Sequence, residues 1–194
     1  MTDLLSLATK VVKTFTERDL TLATAESLTG GLIGATITEV PGASKIYRGG
    51  AIAYATDVKG MMLDVDRADI DAFSVVSGQV AAGMAAGVHE LTDADWVIAV
   101  TGVAGPDPQD GHAPGEVWVC VRGPQIGMLP PAVYTDQFQF EGDRRAVREA
   151  TVDAALAAGS VILPTDLPPV VRGDTVRSST HDPAPFSLGA AWEQ

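Results

Sequence analysis

The sequence predicts an α/β protein, and more specifically a three-layer α/β/α sandwich with a mixed sheet. Strand patterns alternate with helix patterns along residues 4–158, which is typical of helices packed on both faces of a sheet. The apolar runs at residues 96–101 and 116–122 are short enough for buried strands. A further strand pattern at residues 133–140 follows with only a loop between, so we expect an antiparallel hairpin there.

The elements follow one another in a regular order. Apolar residues recur at helical spacing over residues 4–15, which predicts the first helix. A short strand at residues 21–25 leads into a Ser-Leu-Thr-Gly-Gly turn, and a helix over residues 32–40 is closed by Pro41-Gly42. The remaining predicted elements are a strand at residues 50–55, a helix at 57–63, an alanine-rich helix at 78–91 with Ser77 as its N-cap, and a last helix at 143–158.

The composition changes near Leu163. Residues 164–194 hold five of the twelve prolines and show no apolar period. Because proline breaks helices and cannot donate to a sheet ladder, we expect one domain over residues 1–163 and a proline-rich, largely irregular tail over residues 164–194. The alternative is that Phe186, Leu188 and Trp192 dock on the body of the protein or on a neighbouring subunit.

Charge and composition exclude several classes of function. The net charge of −12 argues against non-specific binding to nucleic acid, although a local arginine cluster can still bind a small anionic ligand. No window approaches the roughly 20 consecutive apolar residues of a membrane helix, and no signal peptide is evident. A single cysteine, Cys120, fits a reducing compartment, so the expected location is the cytoplasm and no membrane partner is expected.

The first chemical motif is the turn Ser27-Leu28-Thr29-Gly30-Gly31 after the first strand. Glycines allow close approach of the backbone, and free amides at a helix start can bind a phosphate or an oxyanion. A serine on a strand-to-helix turn can also serve as a nucleophile. The alternative is that Ser27 or Thr29 only caps the helix.

A serine nucleophile needs a base, and the histidines do not suggest one. His89 belongs to the alanine-rich helix, His112 to a loop and His181 to the tail, so no serine–histidine–acid order is expected. The histidines and Cys120 lack metal-ligand spacing, and Cys120 is predicted to be a buried, inert thiol. A lysine with a lowered pKa is the remaining option.

Lys59 and Tyr54 are the candidates for that role. Lys59 is one of only four lysines and comes a few residues after the strand that Tyr54 closes, at the kind of strand end where α/β proteins build their sites. A phenol there could relay a proton or orient the lysine. The alternative is a core tyrosine and a lysine on a helix surface.

Two further motifs suggest substrate binding. The loop Thr101-Gly102-Val103-Ala104-Gly105 follows an apolar strand, where glycine-rich loops often present amides to ligands, although a tight turn would look the same. Arg144, Arg145 and Arg148 crowd the start of the last helix against the helix dipole, which suggests a phosphate site. Salt bridges with Glu141 or Glu149 are the alternative.

Together these motifs resemble the CinA C-terminal domain family, which includes nicotinamide-nucleotide amidases. The similarity extends from the first helix to about Gly159. It rests on these ordered segments: residues 24–31 (Thr-Ala-Glu-Ser-Leu-Thr-Gly-Gly), 41–44 (Pro-Gly-Ala-Ser), 49–54 with Lys59, Val76-Ser77, 101–106 (Thr-Gly-Val-Ala-Gly-Pro), 114–117 (Pro-Gly-Glu-Val) and 142–144 (Gly-Asp-Arg).

The resemblance implies a fold, a reaction and a set of residues. The implied fold is a single α/β/α sandwich with a mixed sheet. The implied reaction is hydrolysis of nicotinamide mononucleotide to nicotinate mononucleotide and ammonia, without metal or cofactor. The nucleophile corresponds to Ser27 and its partners to Lys59 and Tyr54, while the turn and loop amides and the arginines correspond to the substrate-binding region. Family members commonly form homodimers, and this chain is most similar to the stand-alone amidases.

The chain departs from the family pattern at two places. Leu28 stands where the family often has cysteine, and Tyr54-Ala55-Thr56 replaces a common Tyr-Ser-Asn. Losing that asparagine removes an amide group close to the site. An alternative function is therefore a non-catalytic module that binds a nucleotide or a protein partner, and an amidase acting on a different amide is a further possibility.

Overall fold

The computed structural model of the protein describes residues 4–125 and 127–161. One sheet contains five strands in the order β2-β1-β3-β4-β5. The strands are β1 (Leu22–Glu26), β2 (Tyr47–Ile52), β3 (Trp96–Gly102), β4 (Glu116–Arg122) and β5 (Val133–Gln139). The helices are α1 (Leu4–Glu17), α2 (Leu32–Thr38), α3 (Thr56–Leu63), α4 (Arg67–Phe73), α5 (Gly78–Thr92) and α6 (Arg144–Val161), with a 3-10 helix at Ala43–Lys45.

The sheet is mixed, as the sequence predicts. Strand β1 pairs in parallel with both β2 and β3, whereas β4 pairs antiparallel with β3 and with β5. The chain leaves β1 toward β2 on one side and later returns to β3 on the other side. In open α/β sheets this reversal creates a crevice outside the carboxyl ends of the strands, which is where ligands bind.

Two apolar layers cover the two faces of the sheet, because successive strand residues point to opposite faces. Leu22 and Ile98 join the cluster formed with α1, α2 and α6. Ala23 and Ala99 join the cluster formed with α3 and α5. The predicted three-layer α/β/α sandwich is therefore confirmed.

Two elements differ from the prediction. Strand β2 covers Tyr47–Ile52 rather than residues 50–55, because its partners are fixed by the parallel register that joins Leu22 to Tyr47 and Glu26 to Ile52. Helix α4 (Arg67–Phe73) was not predicted. None of its residues is fully buried, so its sequence lacks the apolar stripe by which a helix is recognised. The tail predicted over residues 164–194 lies outside the described residues.

The helix starts differ in how they are capped. Asp66 and Ser77 each accept a hydrogen bond from the backbone at the starts of α4 and α5, so the predicted N-cap of α5 is confirmed. Asp143 does the same for α6 by accepting from Ala146 N. Helix α3 instead begins after Ala55, an extended residue whose side chain can make no capping hydrogen bond.

A glycine allows helix α5 to approach the end of α3. Gly87 lies against the last residue of α3, and a Cβ atom at this position would overlap the carbonyl oxygen of Leu63. Only glycine therefore permits this spacing between the two backbones. The contact determines where α3 lies relative to the sheet.

Candidate active site

The candidate site lies at the carboxyl ends of the three parallel strands. Ser27 follows β1, and its amide donates to Val100 O of β3 at 3.1 Å. Ala53 follows β2, and its amide donates to Glu26 O at 2.9 Å. The last residues of β3 lead into the loop that contains Gly105. The segments after three strands therefore meet at the crevice that the topology predicts.

A buried carboxylate fixes the turn that carries Ser27. Glu26 Oε2 accepts hydrogen bonds from Thr29 Oγ1 at 2.7 Å, from Gly31 N at 3.0 Å and from Ile33 N at 3.1 Å. Glu26 Oε1 accepts from Gly34 N at 2.9 Å. The carboxylate thus accepts hydrogen bonds from amides at the start of α2 that would otherwise lack partners. Its negative charge also interacts favourably with the positive end of the helix dipole.

Lys59 extends from α3 to the hydroxyl of Ser27. Its Nζ lies 3.0 Å from Ser27 Oγ, 2.8 Å from Ala53 O and 3.3 Å from Tyr54 O. Only 1% of Lys59 is exposed, and this burial lowers its pKa from 10.5 to about 8. No carboxylate is paired with Lys59 in the described part of the chain, so no opposite charge there offsets the cost of burying the ammonium.

The three oxygens around Nζ can each accept a hydrogen bond from the ammonium, and they are also compatible with the uncharged amine. A neutral amine has two hydrogens and one lone pair, and the two carbonyl oxygens of Ala53 and Tyr54 can only accept. With its hydrogens on these carbonyls, the lone pair of Lys59 faces Ser27, whose hydroxyl can then donate. The geometry therefore prepares Lys59 to take the proton of Ser27.

Tyr54 contacts the site through both its main chain and its side chain, and a role of its phenol in proton transfer stays a prediction. Its main-chain carbonyl contacts Lys59, while its side chain is 55% exposed and its hydroxyl accepts a hydrogen bond from Arg144 Nη2. The alternative of a core tyrosine and a surface lysine is therefore wrong for both residues. The phenolic hydrogen of Tyr54 stays available to a ligand in the pocket.

The three arginines of α6 have separate environments. Arg144 lines the pocket and donates to Gly105 O at 2.9 Å as well as to Tyr54. Arg145 is exposed and forms a salt bridge with Glu149, which is the alternative considered for the cluster. Arg148 donates to Thr29 O at 2.6 Å beneath the turn. Arg144 uses two of the five N–H donors of its guanidinium in this way, so three stay available for an anion.

The pocket is a small, polar cleft with a cavity volume of about 80 Å³. Of the predicted site residues, those that line it are Ser27, Tyr54, Lys59, Thr101, Gly102, Ala104, Gly105 and Arg144. Those that do not line it, among the described residues, are Thr29, Gly30, Gly31, Arg145 and Arg148. The pocket also contains residues that were not among the predicted site residues, namely Leu28, Val75, Val76, Val103, Asp107 and Gln109.

The hydrogen bonds within the turn determine which of its backbone amides are free to bind an oxyanion. Gly31 N is bound to Glu26, and Gly30 N donates to Ser27 O at 3.0 Å, so neither amide points to the pocket. Leu28 lines the pocket directly after Ser27, the position that supplies an oxyanion donor in many serine hydrolases. The amide of Leu28 is therefore the best candidate.

The single cysteine, Cys120, lies in the core cluster formed with α3 and α5. Cys120 is fully buried, and burial raises its pKa to about 12, which confirms the prediction of an inert thiol. In residues 4–125 and 127–161 no three His, Cys, Asp or Glu side chains cluster so that they could share a metal ion. The same residues include no helix with both the length and the apolarity that crossing a bilayer requires.

Fold and site together define an α/β/α domain with a buried serine–lysine pair at the switch point of its sheet. The family model of the CinA C-terminal domain matches residues 4–160. The chain belongs to this family, as the sequence resemblance predicts.

Relatives and solved structures agree with this assignment. The chain is 41% identical over 151 residues to a CinA-like protein of Frankia casuarinae and 42% identical over 149 residues to a putative competence-damage inducible protein of Halalkalibacterium halodurans. These matches cover 78% and 76% of this chain but 34% of each relative, so the chain spans about a third of the length of the relatives that it matches.

Among solved structures, the competence damage-inducible protein A from Klebsiella pneumoniae superposes with a TM-score of 0.79 at 30% identity, covering 85% of this chain and 99% of that one. The competence/damage inducible protein CihA from Agrobacterium tumefaciens superposes with a TM-score of 0.74 at 33% identity, covering 81% and 93%. Nearly the whole of each solved chain therefore corresponds to the domain described here.

Proposed function

We propose that the protein is an amidohydrolase that converts nicotinamide mononucleotide to nicotinate mononucleotide and ammonia. The observation that carries the proposal is the distance of 3.0 Å between Lys59 Nζ and Ser27 Oγ in a buried site. A serine hydroxyl is a weak nucleophile unless a base takes its proton, and a lysine whose pKa is lowered to about 8 is such a base near neutral pH.

The reaction then proceeds through an acyl-enzyme. Lys59 takes the proton of Ser27, and Ser27 Oγ forms a bond to the carboxamide carbon. The amide of Leu28 stabilises the negative oxygen, and one such donor typically contributes on the order of a hundredfold or more in rate. The proton passes from Lys59 to the leaving nitrogen, ammonia departs, and water hydrolyses the ester to release the carboxylate and restore Ser27.

The pocket has chemistry that complements the rest of this substrate. Arg144, held by Gly105 and Tyr54, has free N–H donors for a phosphate. Asp107 lines the same pocket, and a carboxylate there attracts the positively charged pyridinium ring. Both charges of the mononucleotide thus have an opposite partner. The substrate and a homodimer stay predictions from the resemblance, and a cytoplasmic location stays a prediction from the composition.

The test is to measure ammonia release on incubation with nicotinamide mononucleotide. We expect turnover by the wild-type protein and none by Ser27→Ala, with both proteins showing the same circular dichroism and melting curve. Arg145→Ala is the matched control, because Arg145 is exposed, lies outside the pocket and, among the described residues, pairs with Glu149. Near-normal turnover by Ser27→Ala would remove Ser27 from the mechanism.

The second candidate is a module that binds a nucleotide without catalysis. The replacement at Thr56, where the family often has asparagine, favours it, because that asparagine would place an amide group close to Lys59. Calorimetric binding of nicotinamide mononucleotide with no ammonia release, over hours and at pH 9, would support this alternative. A panel of other carboxamides tests whether the protein is an amidase with a different substrate.

A further inference from the structure

Ser74, His112 and Glu116 form a hydrogen-bonded chain that is separate from the Ser27–Lys59 pair. His112 Nε2 lies 2.7 Å from Ser74 Oγ, and His112 Nδ1 lies 2.9 Å from Glu116 Oε1. Ser74 follows α4, His112 belongs to the loop between β3 and β4, and Glu116 is the first residue of β4. The order of these residues along the sequence did not suggest this arrangement.

The partners of the histidine determine which group donates. A carboxylate can only accept, so a neutral His112 must carry its hydrogen on Nδ1, facing Glu116. Nε2 is then an acceptor, and the hydroxyl of Ser74 must donate to it. Glu116 is itself held by Gln137, whose Nε2 donates to Oε1 at 3.0 Å. This is the order of proton donors and acceptors by which a serine nucleophile is activated.

The backbone of Ser74 is strained. Its φ of 71° and ψ of 157° lie in a region that is essentially restricted to glycine, and such residues cost about 1–3 kcal/mol. Neighbouring hydrogen bonds hold it there, since Ser74 N donates to Ile70 O at 3.0 Å and Ser77 Oγ donates to Ser74 O at 2.8 Å. Strain of this kind concentrates at functional sites, and here it accompanies a hydroxyl directed at an imidazole.

The three hydrogen-bonded residues lie beside the pocket and are partly exposed to solvent. Val75 and Val76, which follow Ser74, line the pocket that contains Ser27, and so does Gln109 from the loop of His112. The side chains of His112 and Glu116 are 20% and 18% exposed, and Ser74 is half-buried. A small reagent can therefore approach this serine from the solvent.

We propose that Ser74, His112 and Glu116 form a second nucleophilic site, which hydrolyses small activated esters independently of Ser27. Ser74 Oγ forms a bond to the acyl carbon while its proton passes to His112 Nε2. The alcohol leaves with that proton as its C–O bond breaks. Water then attacks the acyl-serine, gives its proton to His112 and releases the acid, which restores Ser74. Glu116 holds the imidazole and stabilises its charged form.

The test uses a fluorophosphonate probe and 4-nitrophenyl acetate on the full chain. The serine oxygen displaces fluoride from the probe, and peptide mapping by mass spectrometry identifies which serine carries the phosphonyl group. We expect the label on the peptide with Ser74, in the wild-type protein and equally in Ser27→Ala. In the Ser27→Ala background, we expect His112→Gln to lower ester hydrolysis on the order of a hundredfold, as loss of a general base does.

Ser74→Gly is the variant that separates chemistry from folding. Glycine adopts the backbone angles of Ser74 without strain, so this variant should fold at least as well as the wild type while losing the label at this peptide. Ser44→Ala, on the exposed 3-10 helix, is the matched control and should keep full labelling. An unlabelled Ser74, or labelling that is unchanged in His112→Gln, would overturn the proposal and leave the three residues as a brace between loops.

Discussion

Lys59 Nζ lies 3.0 Å from Ser27 Oγ although the two residues belong to different crossovers of the sheet. Ser27 begins the connection from β1 to β2, and Lys59 belongs to the connection from β2 to β3. The two side chains meet at the switch point because β1 lies between β2 and β3 in the sheet.

The rate of amide hydrolysis should depend on one deprotonation. Because burial lowers the pKa of Lys59 to about 8, kcat/KM should rise about tenfold per pH unit below pH 8 and level off above it. Arginine stays charged at every accessible pH, so Lys59→Arg should lose the activity throughout. A pH profile of ammonia release from pH 6 to 10 measures both, and a flat profile would exclude Lys59 as the base.

The same residue should make the stability of the protein depend on pH. The folded protein releases the proton of Lys59 near pH 8, whereas the unfolded chain retains it up to about 10.5. The unfolded state therefore binds more protons in this window, and the unfolding free energy should rise with pH by about 3 kcal/mol across it. Urea unfolding of the wild type and of Lys59→Met measures this contribution as the difference between their unfolding free energies at each pH. If Lys59 were solvated, that difference would not change with pH.

Glu26 should be essential for the shape of the serine turn. Glu26→Gln replaces one acceptor oxygen by an NH₂ group that faces backbone N–H groups, so it should lower the unfolding free energy by about 2–3 kcal/mol. It should also reduce kcat, because the turn positions Ser27. Glu39→Gln is the matched control on the exposed end of α2 and should change neither quantity.

Arg144 should distinguish a phosphorylated substrate from its nucleoside. Arg144→Ala should raise KM for nicotinamide mononucleotide by about tenfold to a hundredfold, the usual value of a charge-assisted hydrogen bond to an anion. The same change should alter KM for nicotinamide riboside less than about threefold, since that molecule has no phosphate. Equal effects on both substrates would assign Arg144 to the positioning of Tyr54 and Gly105 instead.

The start of α3 should be open to stabilisation. Ala55 has the extended backbone of an N-cap but no side chain to cap the helix, so Ala55→Ser should raise the unfolding free energy by about 0.5–1 kcal/mol. Asp66→Ala at α4 removes an existing cap and should lower it by a similar amount. Thermal melts of the two variants give the comparison, and a loss of stability in Ala55→Ser would contradict the assignment of this N-cap.

Sequence patterns were sufficient for most of the fold because most elements carry a strong apolar period. Strand β4 was predicted with its observed bounds, since its apolar residues are flanked by charged ones. Strand β2 was displaced by three residues because Gly49 and Gly50 weaken its local signal, and pairing with β1 decides its register. Helix α4 has no fully buried residue and only Ile70 packs against the core, so it has no apolar period that sequence analysis could detect.

The candidate site was less accessible to sequence reasoning. The motifs named Ser27 and Lys59, but only the fold shows that the polar atoms of these residues, 32 positions apart in the sequence, lie within hydrogen-bond distance. No local pattern links Ser74 to His112, which is 38 residues further along the chain. Gly31 looked like an anion-binding residue because free amides are common after a serine turn, but the neighbouring Glu26 occupies its N–H.

The packing of Gly87 against Leu63 bears on how substitutions would affect this domain. A single methyl group at this position would push the whole of α3 outward, and Lys59 would withdraw from Ser27 even though the crevice itself is untouched. A random-mutagenesis screen for inactive variants should therefore recover changes at this glycine. We therefore expect substitutions at Gly87 to be tolerated as rarely as substitutions at a residue that contacts the substrate.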